Sequence, residues 1–531
     1  MMDTKALREK VLDLAIRGKL VPQDPNDEPA SVLLERIRQQ KQQMVKEGKL
    51  KAKDIKNDTV IFVGEDNLHY EKFADGSVKC IEDEIPFDLP EGWQWVRLGC
   101  LAQYKKGPFG SSITKAMFVP DNPGAVKVYE QKNAINKDAS LGNYFISAEK
   151  YETLKGFEVF PNDIIVSCAG TIGETYVLPT SMRKGIINQA LMKISLYDLG
   201  ILDFYLMYFD FQLKRAAQEQ GYGVALKNIP PFDMLKRYLV PIPPIQEQQR
   251  IIAAVNNLLF EVDSIDADSK AIFALIAQTK VKILDLAIRG QLVPQDPADE
   301  PASVLLERIR AEKEELIKQG KIKRDKKESI IFRGEDNSYY RLTSDNKRYY
   351  ADTPFEIPES WCWSTLPSIA SVELGKTLDK AKNMGLYHPY LRSVNVQWGY
   401  IDLSDLNEMK FEEYEIDKYS IKMNDLLICE GGDVGRCCIW ERNDTFLYQN
   451  ALHRVRFYAD LEPKFYLYVM MLYESLGILK NISTGVTIKH LTGNVLSAMS
   501  VPLPPLKEQK RIVEAIELAF AQLDEITESI S

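Results

Sequence analysis

Apolar residues in the middle of this chain recur at alternating spacings of three and four. They fall at Ile251, Val255, Leu258, Val262, Ile265, Ile272, Ile276, Ile283 and Leu286, a heptad pattern missed only at Ser269 and Thr279. Such a stripe is the seam of a helix that pairs with another helix. The 45 residues from Ile245 to Arg289 hold neither Gly nor Pro, follow prolines and stop at Gly290, so start and stop signals agree with the period. At 1.5 Å per residue this predicts a rod of about 67 Å, a spacer rather than a core helix. Shorter helices are predicted between Pro29 and Gly48 and between Pro301 and Gly320. They run out into Lys49, Lys51, Lys53 and Lys56, and into Lys321, Lys323, Arg324, Lys326 and Lys327, which read as solvated helix ends or as nucleic-acid contacts. Trp93 with Trp95, and Trp361 with Trp363, share an i, i+2 spacing that predicts one face of a strand entering each of two domains, with stacking platforms as the other reading.

These elements come in two copies. Val11 to Gly48 recurs as Ile283 to Gly320 at an offset of 272, with 28 of 38 positions identical. Ile61-Phe62 and Gly64 to Asn67 recur at Ile331-Phe332 and Gly334 to Asn337, and Pro86 to Trp95 recurs at Pro354 to Trp363. About 65 residues then diverge almost completely. Similarity returns at Asn162-Asp163 and Asn424-Asp425, each followed by an apolar strand-like run and a Gly-x-x-Gly turn, Gly170 to Gly173 and Gly432 to Gly435. Pro241 to Pro244 with Glu247 to Ile251 matches Pro502 to Pro505 with Glu508 to Ile512. The C-terminal segment repeats the first part of the rod and the N-terminal segment repeats its last part. The chain ends are therefore expected to form the two halves of a second helix, antiparallel to the intact one, in a circularly permuted repeat with an internal pseudo-two-fold.

Composition narrows the class. The 531 residues are 45% hydrophobic and 27% charged, a globular balance with room for two domains. A net charge of −9 argues against a polybasic nucleic-acid wrapper and leaves a local basic site open. Seven cysteines, only Cys437 and Cys438 being close together, and four scattered histidines offer neither a disulfide framework nor a zinc spacing. The start of the chain has no apolar signal region and no run approaches a membrane span, so a soluble cytoplasmic protein is expected.

Catalytic motifs are weak. Ala370 to Thr377 is a formal phosphate-loop match, but only Gly375 lies in its bulky interior, and a working loop wraps backbone N–H groups around phosphates. Asn228 to Phe232 resembles an adenine-methyltransferase motif, yet Ile229 is inserted and the equivalent Lys489 to Thr492 lacks it. No nucleophile, paired carboxylates or metal ligands stand out, and no cofactor is expected in this chain.

Two diverged domains on a rod suit the reading of two targets a fixed distance apart, as on duplex DNA, where variable side chains read base edges and a scaffold sets register. A family resemblance enters here. The alternation of constant and variable regions, Pro-x-Pro-Pro with Glu247 to Ile252, the repeats Leu12 to Gln23 and Leu284 to Gln295, and the turn Gly107 to Ser111 resemble the specificity subunit of type I restriction-modification systems over essentially the whole chain. The resemblance implies an α+β protein with two mixed α/β target-recognition domains joined by long antiparallel conserved helices. It also implies double-stranded DNA, two methyltransferase subunits and motor-nuclease restriction subunits as partners, no membrane, and no catalysis here. S-adenosylmethionine and ATP are expected only in partner subunits. A non-catalytic protein–protein scaffold is the alternative.

The expected divisions are 1–56 (helical), 57–242 (first recognition domain with its entry segment), 243–324 (central helical spacer), 325–503 (second recognition domain) and 504–531 (terminal helix). Residues 90 to 242 carry 17 Lys and Arg against 14 Asp and Glu, and residues 354 to 502 carry 14 against 19, which predicts unequal phosphate contacts. DNA-contact candidates in the first domain are Lys105, Lys106, Ser111, Ser112, Lys115, Lys127, Gln131, Lys132, Asn133, Thr171, Lys227 and Asn228. In the second they are Lys376, Thr377, Lys380, Lys382, Arg392, Asn395, Gln397, Arg436, Lys489 and His490. Lys and Arg suit guanine or phosphate, and Asn and Gln suit adenine. Candidates for partner docking on the helices are Arg250, Ile251, Val255, Leu258, Val262, Ile512, Ile516 and Leu523.

Overall fold

The structure, a computed structural model, describes residues 3–219, 231–324, 329–343, 345–379, 383–485 and 490–530. The chain divides between Ala267 and Asp268 into two compact units, a boundary inside the long helix Ile245–Ile288, whose 44 residues make a rod of about 66 Å.

In the first unit the helix Thr4–Ile16, N-capped by the Asp3 carboxylate, packs on the beginning of the long helix. Val11, Ala15 and Ile16 share a buried cluster with Ile251 and Val255. Arg8 pairs with Asp263 at one end, and Gln23 bonds Glu247 while Asp27 pairs with Arg250 at the other. Arg8 near the start of the segment meets residue 263, whereas Gln23 and Asp27 beyond its end meet residues 247 and 250, so the two segments run antiparallel. The second unit repeats the pattern with the helix Leu506–Ser529 on the end of the long helix. Lys280 pairs with Asp524, Gln295 bonds Glu508, and Asp299 pairs with Arg511. Within each unit, a chain end thus supplies the antiparallel partner that the heptad stripe requires.

Each helical part is fixed to its sheet part by one buried tryptophan. Trp93 Nε1 donates to Glu247 at 3.0 Å and Trp361 Nε1 donates to Glu508 at 3.0 Å. The rings meet Phe204 and Phe465 edge-on. Burial pushes both carboxyl groups above the usual range. Gly18 and Gly290 pack against the same junctions: a Cβ on either would lie 2.5 Å from Cγ of Pro90 or Pro358, and both take positive φ, +64° and +70°. Only glycine meets both conditions.

The sheet topology is the same twice over. The strand Gln94–Arg97 pairs antiparallel with Leu239–Ile242, and Cys362–Thr365 pairs likewise with Ser500–Leu503. A four-stranded sheet in the first unit runs, in spatial order, Thr175–Val177, Ile164–Ser167, Leu191–Leu196, Ala102–Lys106; the second has Cys437–Ile439, Leu426–Cys429, Leu452–Phe457, Ala370–Leu374. A second four-stranded sheet contains one parallel pair in each unit, Val126–Tyr129 with Gly185–Ile187 and Leu386–Leu391 with Phe446–Tyr448. Each unit also carries a three-stranded meander, Val60–Val63 to Val78–Cys80 and Ser329–Arg333 to Arg348–Tyr350. The zone whose sequences diverge therefore keeps one fold. Among the described residues no helix is long and apolar enough to cross a membrane.

Candidate nucleic-acid interface

In the first unit Met192 lies opposite Lys106 and Leu191 opposite Ser167. The strand Ala102–Lys106, the strand Ile164–Ser167 and the start of Leu191–Leu196 thus share one sheet edge, and two loops that leave from it carry candidate residues. The first is an arch, residues 107–113. Its entry is locked because Gly107 N donates to Leu191 O at 2.9 Å and a Cβ there would fall 1.7 Å from Asn188 O. Its exit is locked by Ile113, buried in the core of the second sheet beside Val126, Val128 and Ile186. Between these anchors a 3-10 turn, Gly110–Ser112, presents Phe109, Ser111 and the half-buried Ser112, with Lys115 exposed just beyond. The second loop, 168–174, carries exposed Thr171. Gln131, at the start of the helix Gln131–Ile135, donates to the carbonyls of Ala169 and Thr171 and ties that helix to the loop. Lys105, Lys106 and Lys132 are exposed, Lys132 beside Glu130 at 2.9 Å. The structure therefore gathers Lys105, Lys106, Ser111, Ser112, Gln131, Lys132 and Thr171 around one edge, with Lys115 next to it.

The second unit builds the same edge with other side chains. Gly375 replaces Gly107: its N–H donates to Leu452 O at 3.1 Å, and a Cβ would sit 2.3 Å from Gln449 O. The tie between short helix and loop runs the other way. Arg436, from the loop, donates to Ser393 O at 3.0 Å and pairs with Asp433 at 2.6 Å. Arg392 is held by Asp405 at 2.7 Å, so a phosphate would have to compete for it. His490 is exposed and forms a bridge with Gly431 of the loop. Thr377 is exposed and Gln397 is half-buried, its amide donating to Val394 O at 2.9 Å. Cys168 and Cys429 lie at the loop roots, where burial pushes both thiols up to about 11. They stay protonated near neutrality and pack rather than react.

Four candidates leave the surface altogether. Asn133 and Asn395 are buried, at 0% and 2% exposure, and do the same internal work. The side-chain oxygen of each accepts the N–H of the residue three earlier, Glu130 or Arg392. Each amide donates to two loop carbonyls, those of Asp138 and Leu141 or of Asp402 and Asp405. An amide with all its partners inside cannot read adenine. Lys127 is buried, donates to Ser140 O at 2.8 Å, and burial lowers its pKa. Lys376 is buried against Glu415 and the Phe411 ring, so the formal phosphate loop is a strand followed by a neutralised lysine. Lys227, Asn228, Lys380, Lys382 and Lys489, and Lys326 and Lys327 of the second lysine run, lie outside the described residues.

The docking candidates on the helices divide in a similar way. Ile251, Val255, Ile512 and Ile516 are buried in the chain's own clusters, Val262 is buried too, and Arg250 is paired with Asp27. A heptad stripe marks the seam a helix needs for itself before it marks any partner's. Leu258 and Leu523 are half-buried. All four tryptophans read as strand-face residues are buried and are not stacking platforms. Phe109 is not among the polar candidates, although its sequence signal is plain: an aromatic between two glycines, with lysines on both sides.

Comparison with known proteins agrees with this duplicated arrangement. The family profile described as "Type I restriction modification DNA specificity domain" matches residues 90–266 and again 358–531. The chain belongs to that family, with two copies of its domain. It is similar to the Type I restriction enzyme EcoAI specificity subunit of Escherichia coli, at 26% identity over 97% of this chain and 88% of that one. It is also similar to the EcoEI specificity subunit of the same species, at 25% identity over 98% and 90%. A solved structure titled for complex assembly and conformational transition of the type I R-M system aligns at TM-score 0.48 and 16% identity, over 84% of this chain and 94% of that one.

Proposed function

We propose that this chain is the DNA-reading subunit of a type I restriction-modification complex, each unit reading one half of a bipartite, asymmetric site. The observation that carries this reading is the repeated sheet edge. The anchors are the same in both copies (Gly107 and Gly375, Asn133 and Asn395), while the exposed side chains around them differ. Fixed scaffold with divergent loops is what two readers of different sequences need. The chain itself is non-catalytic. Two methyltransferase subunits dock on its helical parts, and motor-nuclease subunits complete the assembly. Lys105, Lys106 and Lys115 contact phosphate; Ser111, Gln131 and Thr171 lie closest to bases in the first unit, and Thr377, Arg436 and His490 in the second.

The test is methylation mapping with the whole methyltransferase complex. Replacing residues 96–160 with those of a relative should change one half of the methylated motif and leave the other half and the gap intact. Unchanged methylation sites would overturn the reading. A protein scaffold, the reading that the net charge of −9 mildly favours, predicts instead no salt-dependent, sequence-selective duplex binding by the complex.

A further inference from the structure

Phe109 is 87% exposed, more than any other large apolar side chain among the described residues. Exposed apolar residues are common, but this one is held out by construction. The arch is fixed at Gly107 by its N–H bond to Leu191 O, with no room there for a Cβ beside the Asn188 carbonyl, and at Ile113 by the second sheet's core. Pro108, next to it, is buried, and the turn after it is closed by Ser112 N donating to Phe109 O at 2.8 Å. The ring therefore stands on a rigid mount. Its neighbours along the chain are cationic and hydroxylic: Lys105, whose ammonium lies 5.0 Å from the Phe157 ring centroid, and Lys106 precede it, Ser111 and Lys115 follow it, and all are exposed. A protein partner's hot spot would seat an aromatic amid apolar neighbours. A ring alone among phosphate-binding groups suits a wedge that enters a base stack, where apolar side chains separate base steps while cations hold the backbone. At the position equivalent to Phe109 the second unit carries Thr377.

We propose that Phe109 inserts between neighbouring base pairs in the half-site read by the first unit, with Lys105, Lys106 and Lys115 on the flanking phosphates. This rests on the DNA-reading assignment above. Insertion locally unstacks the duplex, so the first half-site is distorted and the second is not.

The test uses the full chain in complex with its methyltransferase subunits. Duplexes carry the methylation-mapped site with 2-aminopurine at each adenine in turn, since that base fluoresces more when unstacked. Besides any target base that the methyltransferase subunits flip out of the stack, wild type should brighten the probe at one further step, in the first half-site. Phe109→Ala should abolish that signal and weaken binding about 5- to 150-fold, the range that base–aromatic stacking implies, with the salt slope unchanged. Phe109→Trp should restore both. Because the side chain is exposed, the melting temperature of Phe109→Ala should equal wild type. Wild-type affinity and an unchanged probe signal in Phe109→Ala would overturn the wedge. So would a variant that loses subunit assembly instead of the probe signal. Absence of any sequence-selective binding by the wild-type complex would overturn the DNA-reading assignment itself, which separates the two failures.

Discussion

Four glycines test how the helical parts are joined to the sheet parts. Gly18, Gly48, Gly290 and Gly320 have φ of +64°, +71°, +70° and +69°, so alanine meets nearly the same backbone penalty at each, about 1–2 kcal/mol. It also recovers about 0.4–1 kcal/mol by restricting the unfolded chain. At Gly48 and Gly320 nothing lies within 4 Å of the added Cβ, so Gly48→Ala and Gly320→Ala should cost between zero and about 1.6 kcal/mol. At Gly18 the Cβ meets Pro90 at 2.5 Å and Trp93 at 2.9 Å, and at Gly290 it meets Pro358 at 2.5 Å and Trp361 at 3.0 Å. These are ring atoms that cannot swing aside. Overpacking of this kind adds about 1–3 kcal/mol, so the inner pair should lose that much more than the outer pair. Urea unfolding of the full chain, followed by tryptophan fluorescence, measures the difference because Trp93 and Trp361 report on the joint. Equal losses at all four positions would refute the claim that the joint, rather than left-handed backbone alone, demands glycine.

Three further outcomes are expected. Asn133→Ala and Asn395→Ala should each cost about 1–3 kcal/mol by stranding buried polar groups and leave sequence preference unchanged, as urea titration and methylation mapping can show. Lys105→Ala with Lys106→Ala should lower the slope of log affinity against log salt by about 2, if each meets one phosphate; an unchanged slope places DNA elsewhere. Burial lowers the pKa of His453, whose Nε2 lies 3.0 Å from Leu491 O. The fold therefore binds this proton less readily than the unfolded chain does. Its stabilising contribution is present above the unfolded value of about 6.5 and is lost as pH falls from there through the folded pKa. His453→Gln should flatten that loss in unfolding curves measured across pH.

The helices and their permuted repeat were legible because their signals are local: a heptad period, bounding prolines and glycines, and 28 identities in one block. The diverged zone was not, since its strands are only two to six residues long and key pairings join residues 58 to 94 apart in the chain. The site was half legible. Residue type pointed to Lys105, Gln131 and Arg436, all at the sheet edges, yet it could not distinguish them from Asn133 or Lys376, since the same groups serve inside as well as outside. Burial separates the two sets, and burial is a property of the fold.

The tie between short helix and loop has a consequence for redesign. In the first unit Gln131 reaches from helix to loop, and in the second Arg436 reaches from loop to helix. Transplanting residues 432–436 alone into the first unit would bring an arginine to a crossing that the Gln131 side chain already spans. The tradeable cassette is therefore not the loop but the loop together with the helix start it clasps, and altered specificities should emerge from exchanging the two as a matched set.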